Sequence, residues 1–486
     1  MQAIASAAIR PSTLRGACFA LALGFFAWVA APGQAGADDV KPAAGTAIGK
    51  EAALLQSGSS IDFRRIIEDA KSKVFPALIF VAPVVEDFES GKRETREQGG
   101  SGVLISADGY AVTNWHVVEK AVTIRILLFD GRVTTADKIG EDKETDIALL
   151  KLKPPKKDSE KPFDHAAFAD SSQLAEGQFV MAMGAPWGLS RSVSLGILSC
   201  ISRYLPGQSE YSLWLQCDAS INPGNSGGPL VNTDGLVVGI NTLGTMAGGD
   251  MGFSVPSNTV KRIVEGLRAH GEVRRSWTGL RLQPLNDFDR NTFFEADRGV
   301  LVASVDQGSP ALNAGLQVGD LLLSIDGRET NGMHRESLPA INALLGDLPT
   351  DKAVAVKLRR GEEEKETTLT PRAKGKVEGD NFDCKAWNMT VKAINEFETP
   401  TLYFYVKNGV YVQGIRYPGN AASSGLRRFD IVLKVDGKEI QSLEDIRRAY
   451  EGVSGDAKRE KKVRLEVLRN DLRRPVILDY STNFKE

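Results

Sequence analysis

Gly224-Asn225-Ser226-Gly227-Gly228-Pro229-Leu230 decides how this chain is read. A serine hemmed in by glycine can sit on a sharp turn with its hydroxyl exposed, because glycine tolerates the torsions such a turn needs. Backbone N–H groups can then converge on one point, as a tetrahedral oxyanion requires, each donor being worth about 3 kcal/mol. Taken alone, the stretch also reads as an ordinary glycine-rich loop. It satisfies the G-x-S-x-G pattern of α/β-hydrolases as well, but that fold demands a helix directly after the serine and a histidine later in the chain. Here Pro229 and a hairpin-like run, Leu230–Ile240, follow the serine, and the later histidines His270 and His334 fall in a linker and a repeat. A lipase or esterase is disfavoured on that ground.

Two residues upstream complete a constellation. His116, one of four histidines, ends the β-like run Tyr110–Thr113 and begins a helix-like one. Asp146 opens the apolar run Ile147–Leu152. Singly, the first reads as a satisfied structural histidine and the second as a gatekeeper charge at a strand edge. Together with Ser226 they supply a nucleophile, a base to take its proton and a carboxylate to fix the base's tautomer. The order His, Asp, Ser on a β scaffold is that of chymotrypsin. The surroundings agree: Ala77–Val85, Gly102–Ser106, Ala111–Thr113, Val122–Phe129, Ile147–Leu152, Phe179–Gly184, Leu230–Val231, Leu236–Ile240 and Gly252–Val255 read as short strands, punctuated by Asp-Gly turns at 108, 130 and 234. The expected fold class is mainly β, a chymotrypsin-like double β-barrel with the site between the barrels. A short amphipathic helix is expected over Ile61–Lys73 and a closing helix over Ser257–Ala269, with Ser257 as its N-cap.

Beyond that helix the chain repeats itself. Ala314-Gly315-Leu316 through Ile325-Asp326-Gly327 is matched by Ser424-Gly425-Leu426 through Val435-Asp436-Gly437. Each copy follows a Gly-Val strand start, at 299 and 409, and precedes a helical pattern, Leu338–Leu345 and Leu443–Tyr450. Ser442 and Asp445 form a capping-box pattern for the latter. The spacing is that of a duplicated domain, not a solenoid, with Lys374–Asp380 as the seam.

The bulk numbers bound these readings. A chain of 486 residues holds roughly three domains. Hydrophobic content of 42% and charged content of 25% are ordinary for globular protein. A net charge of -2 makes nucleic acid and anionic membrane poor partners. Arg10, Arg15, the short apolar run Ala17–Ala31 and the small residues Ala35-Gly36-Ala37 read as a secretory signal peptide rather than a membrane span, an uncleaved anchor being the alternative. Its removal leaves a charge of about -4. Cys200, Cys217 and Cys384 then remain, which is neither a disulfide framework nor metal spacing, so no metal or cofactor is expected. Cys200 and Cys217 are either a cross-strand disulfide or two buried small hydrophobes.

The segments around His116, Asp146 and Ser226, with Gln216–Pro223 leading in, resemble the HtrA (high-temperature-requirement) family of serine proteases, from about Ile61 to about Tyr480. The resemblance implies a chymotrypsin-like domain followed by PDZ domains. The expected organisation is 1–37 signal peptide, 38–60 flexible leader, 61–270 protease, 272–373 first PDZ domain (an α+β, sandwich-like module) and 380–482 second PDZ domain. It implies Ser226 as nucleophile, His116 as general base, Asp146 as orienter, and the amides of Gly224 and Ser226 as oxyanion hole. The specificity pocket would involve Ile221, Asn241, Thr242 and Gly244, with Gly244 widening it. Trp277-Thr278-Gly279-Leu280 would capture a peptide C-terminus by a nest of N–H groups and strand addition. The second copy has Trp387-Asn388-Met389-Thr390 there, without the glycine, and Phe429 where the first has Gly319. Family members assemble as trimers through aromatic residues near the protease N-terminus, for which Phe63 and Phe75 are candidates. Trp115 and Cys217 stand where the family carries smaller polar residues, and the loop between Val85 and Gly99 is short. The implied activity is that of an exported quality-control endopeptidase acting on unfolded or damaged proteins through an acyl-enzyme, with PDZ ligands shifting its active population. No nucleic acid partner and no stable membrane span after leader removal are expected. The competing reading is a non-catalytic holdase or PDZ scaffold.

Overall fold

The computed structural model describes residues 62–155, 161–186, 191–245, 251–288, 291–456 and 458–484. The expected signal peptide and flexible leader lie outside the described residues. Among the described residues no helix is long and apolar enough to cross a membrane.

Helix α1 (Phe63–Val74) starts at Asp62, whose carboxylate accepts from the Arg64 and Arg65 amides, and it buries Ala70 and Val74. Seven strands follow: β1 (Leu78–Asp87), β2 (Glu94–Glu97), β3 (Gly100–Leu104), β4 (Tyr110–Thr113), β5 (Ala121–Leu127), β6 (Val133–Asp142) and β7 (Ile147–Leu152). They pair in the order β2-β1-β3-β4-β7-β6-β5, and β1 pairs with β5 to close the sheet into a barrel. A second closed barrel is built from β8 (Phe179–Gly184), β9 (Ser192–Arg203), β10 (Trp214–Cys217), β11 (Pro229–Asn232), β12 (Val237–Thr245) and β13 (Met251–Pro256), in the order β10-β13-β12-β11-β8-β9. Closure removes the exposed sheet edges that strands this short would otherwise present.

Helix α2 (Trp115–Val118) is a single turn after β4, and α3 (Ser257–His270) closes the domain. Val260, Ile263 and Leu267 of α3 join one buried cluster with Ile147 and Leu149 of the first barrel and Val237, Ile240 and Val255 of the second. Full burial of each such aliphatic contributes roughly 1.5–3 kcal/mol, so α3 holds the two barrels to one another. Ser257 is not the N-cap expected from sequence. Pro256 stands there, and the Ser257 hydroxyl instead donates to the Ala169 carbonyl at 3.0 Å.

Among the described residues the three thiols, Cys200, Cys217 and Cys384, are free. The register places Cys200 opposite Gln216 and Cys217 opposite Leu198, so the two sulfurs do not face each other across β9 and β10. Burial pushes the Cys217 thiol up to about 11.

Each copy of the repeat, expected to be a PDZ domain, is a sheet with a helix against it. The first runs Leu280–Gln283, Val300–Val305, Leu321–Ile325, Val354–Arg360, Glu363–Leu369, with helix Leu338–Gly346. The second runs Met389–Ala393, Val410–Ile415, Ile431–Val435, Lys462–Arg469, Leu472–Asp479, with helix Leu443–Ser454 capped by Ser442 and Asp445 as its sequence predicts. The repeated motif has a physical cause. Its buried aspartate, Asp320 or Asp430, receives a bidentate guanidinium, from Arg360 at 2.6 and 2.7 Å and from Arg469 at 2.6 and 2.6 Å. The same arginines donate to the carbonyls of Gly315 and Gly425, both at 2.8 Å. Phe429 adopts φ +68, costly for a bulky residue, and stacks on Tyr411 at 6.0 Å.

The copies differ at one edge. In the first, Leu280–Gln283 is the outermost strand. In the second, the equivalent Met389–Ala393 is covered by an additional strand of the same chain, Asn381–Cys384. Phe382 of that strand packs edge-on against Tyr450 of the helix at 5.6 Å.

Candidate active site

The turn between β4 and α2 places His116 on the first barrel's rim. Its backbone N–H donates to Asp146 Oδ1 at 3.0 Å, and its Nδ1 lies 2.8 Å from Oδ2 and 3.0 Å from Oδ1. Two carboxylate oxygens this close favour the proton on Nδ1 and leave Nε2 with its lone pair. Asp146 is 9% exposed and takes φ +56 immediately before β7, a left-handed conformation that aspartate tolerates better than most residues. Its carbonyl accepts from the Trp115 amide at 3.1 Å and from Asn114 Nδ2 at 2.9 Å. Asn114, fully buried, also donates to Thr242 Oγ1 of β12 at 2.9 Å. One asparagine thus ties the His–Asp pair of the first barrel to the second.

Ser226 comes from the turn before β11. The Asn225 amide donates to Asn222 O, the Gly228 amide to Asn225 O, both at 2.9 Å, and the Gly227 amide to Asn241 O at 2.8 Å. From β3, the Ser101 amide donates to Ser226 O at 2.8 Å, while the Ser101 hydroxyl donates to Gly224 O at 2.6 Å and accepts from the Ala185 amide at 2.8 Å. Gly224 has φ +100, and a Cβ there would lie 2.7 Å from Pro186 Cβ. Among the described residues the amides of Gly224 and Ser226 have no hydrogen-bond partner, so the turn leaves two donors unspent. The Ser226 hydroxyl itself donates to the Thr242 carbonyl at 3.1 Å. It must turn from that acceptor toward His116 before a base can deprotonate it.

His116, Ser226, Gly224, Ile221, Thr242 and Gly244 line one cleft of about 300 Å³. Asn241, expected at the pocket wall, is buried behind it, donating to the Pro229 carbonyl at 3.0 Å and accepting from Ser254 at 3.1 Å. Gly244 does not widen the cleft by lacking a side chain. A Cβ there would meet the Ile221 carbonyl at 2.2 Å, so glycine permits two backbones to approach. Leu243, within the expected Asn241–Gly244 stretch, also lines the cleft; sequence reasoning missed Gln98, which lines it too, and the supporting Ser101 and Asn114. The available signal was a polar side chain inside an apolar inward-facing run, in Gly100-Ser101-Gly102-Val103 and Thr113-Asn114-Trp115.

In the first PDZ copy Gly279 has φ +78, and its amide has no partner among the described residues. A Cβ there would lie 2.1 Å from Ser309 Cβ. Thr278 is buried, its Oγ1 accepting from the Leu280 amide at 3.3 Å, and Trp277 lies under the Arg372 guanidinium at 4.0 Å.

Comparison with known proteins agrees with this arrangement. The trypsin-like peptidase domain family matches residues 100–240, and the PDZ domain family matches residues 301–360 and 395–478. The chain is 35% identical over 367 residues to a probable periplasmic serine endoprotease, DegP-like, of Halomonas elongata, covering 73% of this chain and 74% of that one. A protein of the same description from a Marinomonas strain is 35% identical over 366 residues, 73% of this chain and 75% of its own. Among solved structures, the HtrA-type protease AlgW with a tripeptide superposes with a TM-score of 0.55 at 28% identity, covering 64% of this chain and 97% of AlgW. A chymotrypsin-like double barrel followed by two PDZ domains, with these relatives, places the chain in the HtrA family of DegP-like serine endoproteases.

Proposed function

We propose that the endopeptidase activity is carried by Ser226, His116 and Asp146, and that it acts on unfolded or damaged proteins after export. The observation that carries this reading is His116, held by Asp146, lining one cleft with Ser226 and Gly224, whose amides are unspent. Ser226 Oγ attacks the peptide carbonyl carbon as His116 Nε2 takes its proton. The amides of Gly224 and Ser226 receive the oxyanion, His116 returns the proton to the leaving amine, and water then hydrolyses the acyl-enzyme by the same base. Asp146 holds the imidazole and stabilises its charged form without taking the proton. Treatment with a fluorophosphonate tests it: one adduct per chain on Ser226 is expected, and an adduct elsewhere overturns it.

The first PDZ copy captures a peptide C-terminus, with Gly279 and Leu280 at the carboxylate and Leu280–Gln283 as the strand to which the peptide adds. The open edge supports this, whereas the second copy fills the equivalent edge with Asn381–Cys384. A decapeptide with an apolar, free C-terminus is expected to bind with one site per chain, and Gly279→Ala to weaken it at least about tenfold. Undiminished affinity in Gly279→Ala, by fluorescence anisotropy, contradicts the assignment. Assembly as a homotrimer or larger oligomer is supported by aromatic side chains at α1 and just after it: Phe63, 41% exposed, lies edge-on to Phe179 at 5.0 Å, and the partly buried Phe75 approaches the exposed Phe129 at 6.3 Å.

A further inference from the structure

Three successive residues of the turn that carries Asp146 are each held by segments flanking the first PDZ copy. Asp142 receives both Nη atoms of Arg275 at 2.7 Å. Lys143 pairs with Glu378, and its ammonium stands 4.8 Å over the ring of Trp115, the residue before His116. Glu144 receives Arg275 Nη1 at 3.2 Å and also pairs with Lys374, whose Nζ donates to the Tyr211 hydroxyl at 2.8 Å. Arg275 follows α3, and Lys374 and Glu378 lie between the PDZ copies, more than 220 residues in sequence beyond the turn they grip.

This is not surface decoration. Exposed ion pairs contribute little, but the side chains of Arg275 and Asp142 are 9% and 6% exposed, and their contact is the bidentate fork that guanidinium geometry favours. Burial opposes the Arg275 charge, and the carboxylates of Asp142 and Glu144 outweigh that, so the guanidinium stays firmly charged. The turn is short and tight. Thr145 Oγ1 donates to Asp142 Oδ2 at 2.6 Å, the Asp146 amide reaches Lys143 O at 3.3 Å, and Asp146 follows at φ +56. Aspartate tolerates the left-handed region, but a carboxylate that must keep one orientation there depends on the surrounding turn being held.

We propose that Arg275, with Lys374 and Glu378 beside it, is a positioning residue for catalysis: the segments flanking the first PDZ copy hold the Asp142–Thr145 turn, and through it the Asp146 carboxylate, in the orientation His116 requires. The proposal rests on Asp146 being the orienter. It gives Trp115 a purpose, as the platform under Lys143 on the histidine's own turn. It also makes displacement of these segments a displacement of the His–Asp pair.

The test is a double-mutant cycle in the full chain with a chromogenic peptide. Arg275→Met is expected to lower kcat at least about tenfold with KM within about twofold, because sub-ångström misplacement of a catalytic group is costly, and Arg275→Lys, which keeps charge without the fork, to recover part of the loss. In an Asp146→Asn background Arg275→Met is expected to change kcat less than about twofold, since a residue acting through Asp146 has nothing left to position. Glu378→Gln, on the half-exposed side of the network, is the second variant, with a loss of about two- to fivefold that also vanishes with Asp146→Asn, and it decides the matter if Arg275→Met does not fold. Equal losses in both backgrounds, or full activity in folded Arg275→Met, overturn the proposal and leave the triad standing. An Asp146→Asn chain as active as the parent overturns the triad reading, and this proposal with it.

Discussion

Asn in place of Asp146 is expected to lower kcat about 10⁴-fold while KM stays near its parent value, the scale of the same change in other Ser-His-Asp sites. The geometry says why. The Asn Oδ1 can still accept the His116 backbone N–H that Asp146 Oδ1 accepts at 3.0 Å, so the turn keeps its shape. The other oxygen, 2.8 Å from Nδ1, becomes an NH₂. Two donors cannot face each other, so the imidazole moves its proton to Nε2 and loses the lone pair that deprotonates Ser226. Steady-state kinetics on a peptide substrate check this. A loss below about tenfold would mean that Asp146 is a strand-edge charge and that something else orients the histidine.

Gly224→Ala is expected to lower kcat about 100-fold, the cost of losing one oxyanion donor, again with little change in KM. Two effects coincide at this position. The backbone stands at φ +100, where an L side chain is strained, and the new Cβ would sit 2.7 Å from Pro186 Cβ and 2.8 Å from Pro186 Cα. Backbone atoms cannot swing aside as a flexible side chain can, so the 223–224 peptide must rotate and take its N–H away from the oxyanion. The Ser101 hydroxyl anchors the following carbonyl at 2.6 Å and prevents the turn from shifting as a body. The ground-state substrate carbonyl gains little from that donor, which is why KM should hold. A kcat within about threefold of the parent, measured beside an unchanged melting temperature, would remove Gly224 from the oxyanion site.

Both predictions concern residues that could be read from the sequence, and the reason is local. Ser226, His116 and Asp146 sit at junctions between strand-like and turn-like segments, where a polar residue beside an apolar run stands out. The barrels were legible for the same reason: β1 and β7 carry dense apolar runs, β7 almost wholly buried and β1 buried at about every second residue. Strand β6, Val133–Asp142, was not legible. Its sequence is polar and charged, and it is a strand because β5 and β7 flank it and because Thr134 and Ala136 point inward. Ser101 and Asn114 act across barrels, on Gly224 and Thr242, and no spacing along the chain encodes that meeting. Arg275, Lys374 and Glu378 were the least visible. Arg275 falls at the start of the expected first PDZ domain, Lys374 and Glu378 in the seam between the copies, and their partners are far away in sequence. The added strand Asn381–Cys384 fell at the seam between copies for the same reason, although its pairing with Met389–Ala393 distinguishes the two PDZ domains.

The measurement that tests the central claim most directly is cleavage of reduced, unfolded casein by the parent chain beside Ser226→Ala. The triad account predicts endoproteolytic fragments from the parent and a rate in the variant lower by about 10⁶-fold, the loss expected when the nucleophile of such a triad is removed. Equal cleavage by both chains would contradict it and assign the activity to another nucleophile.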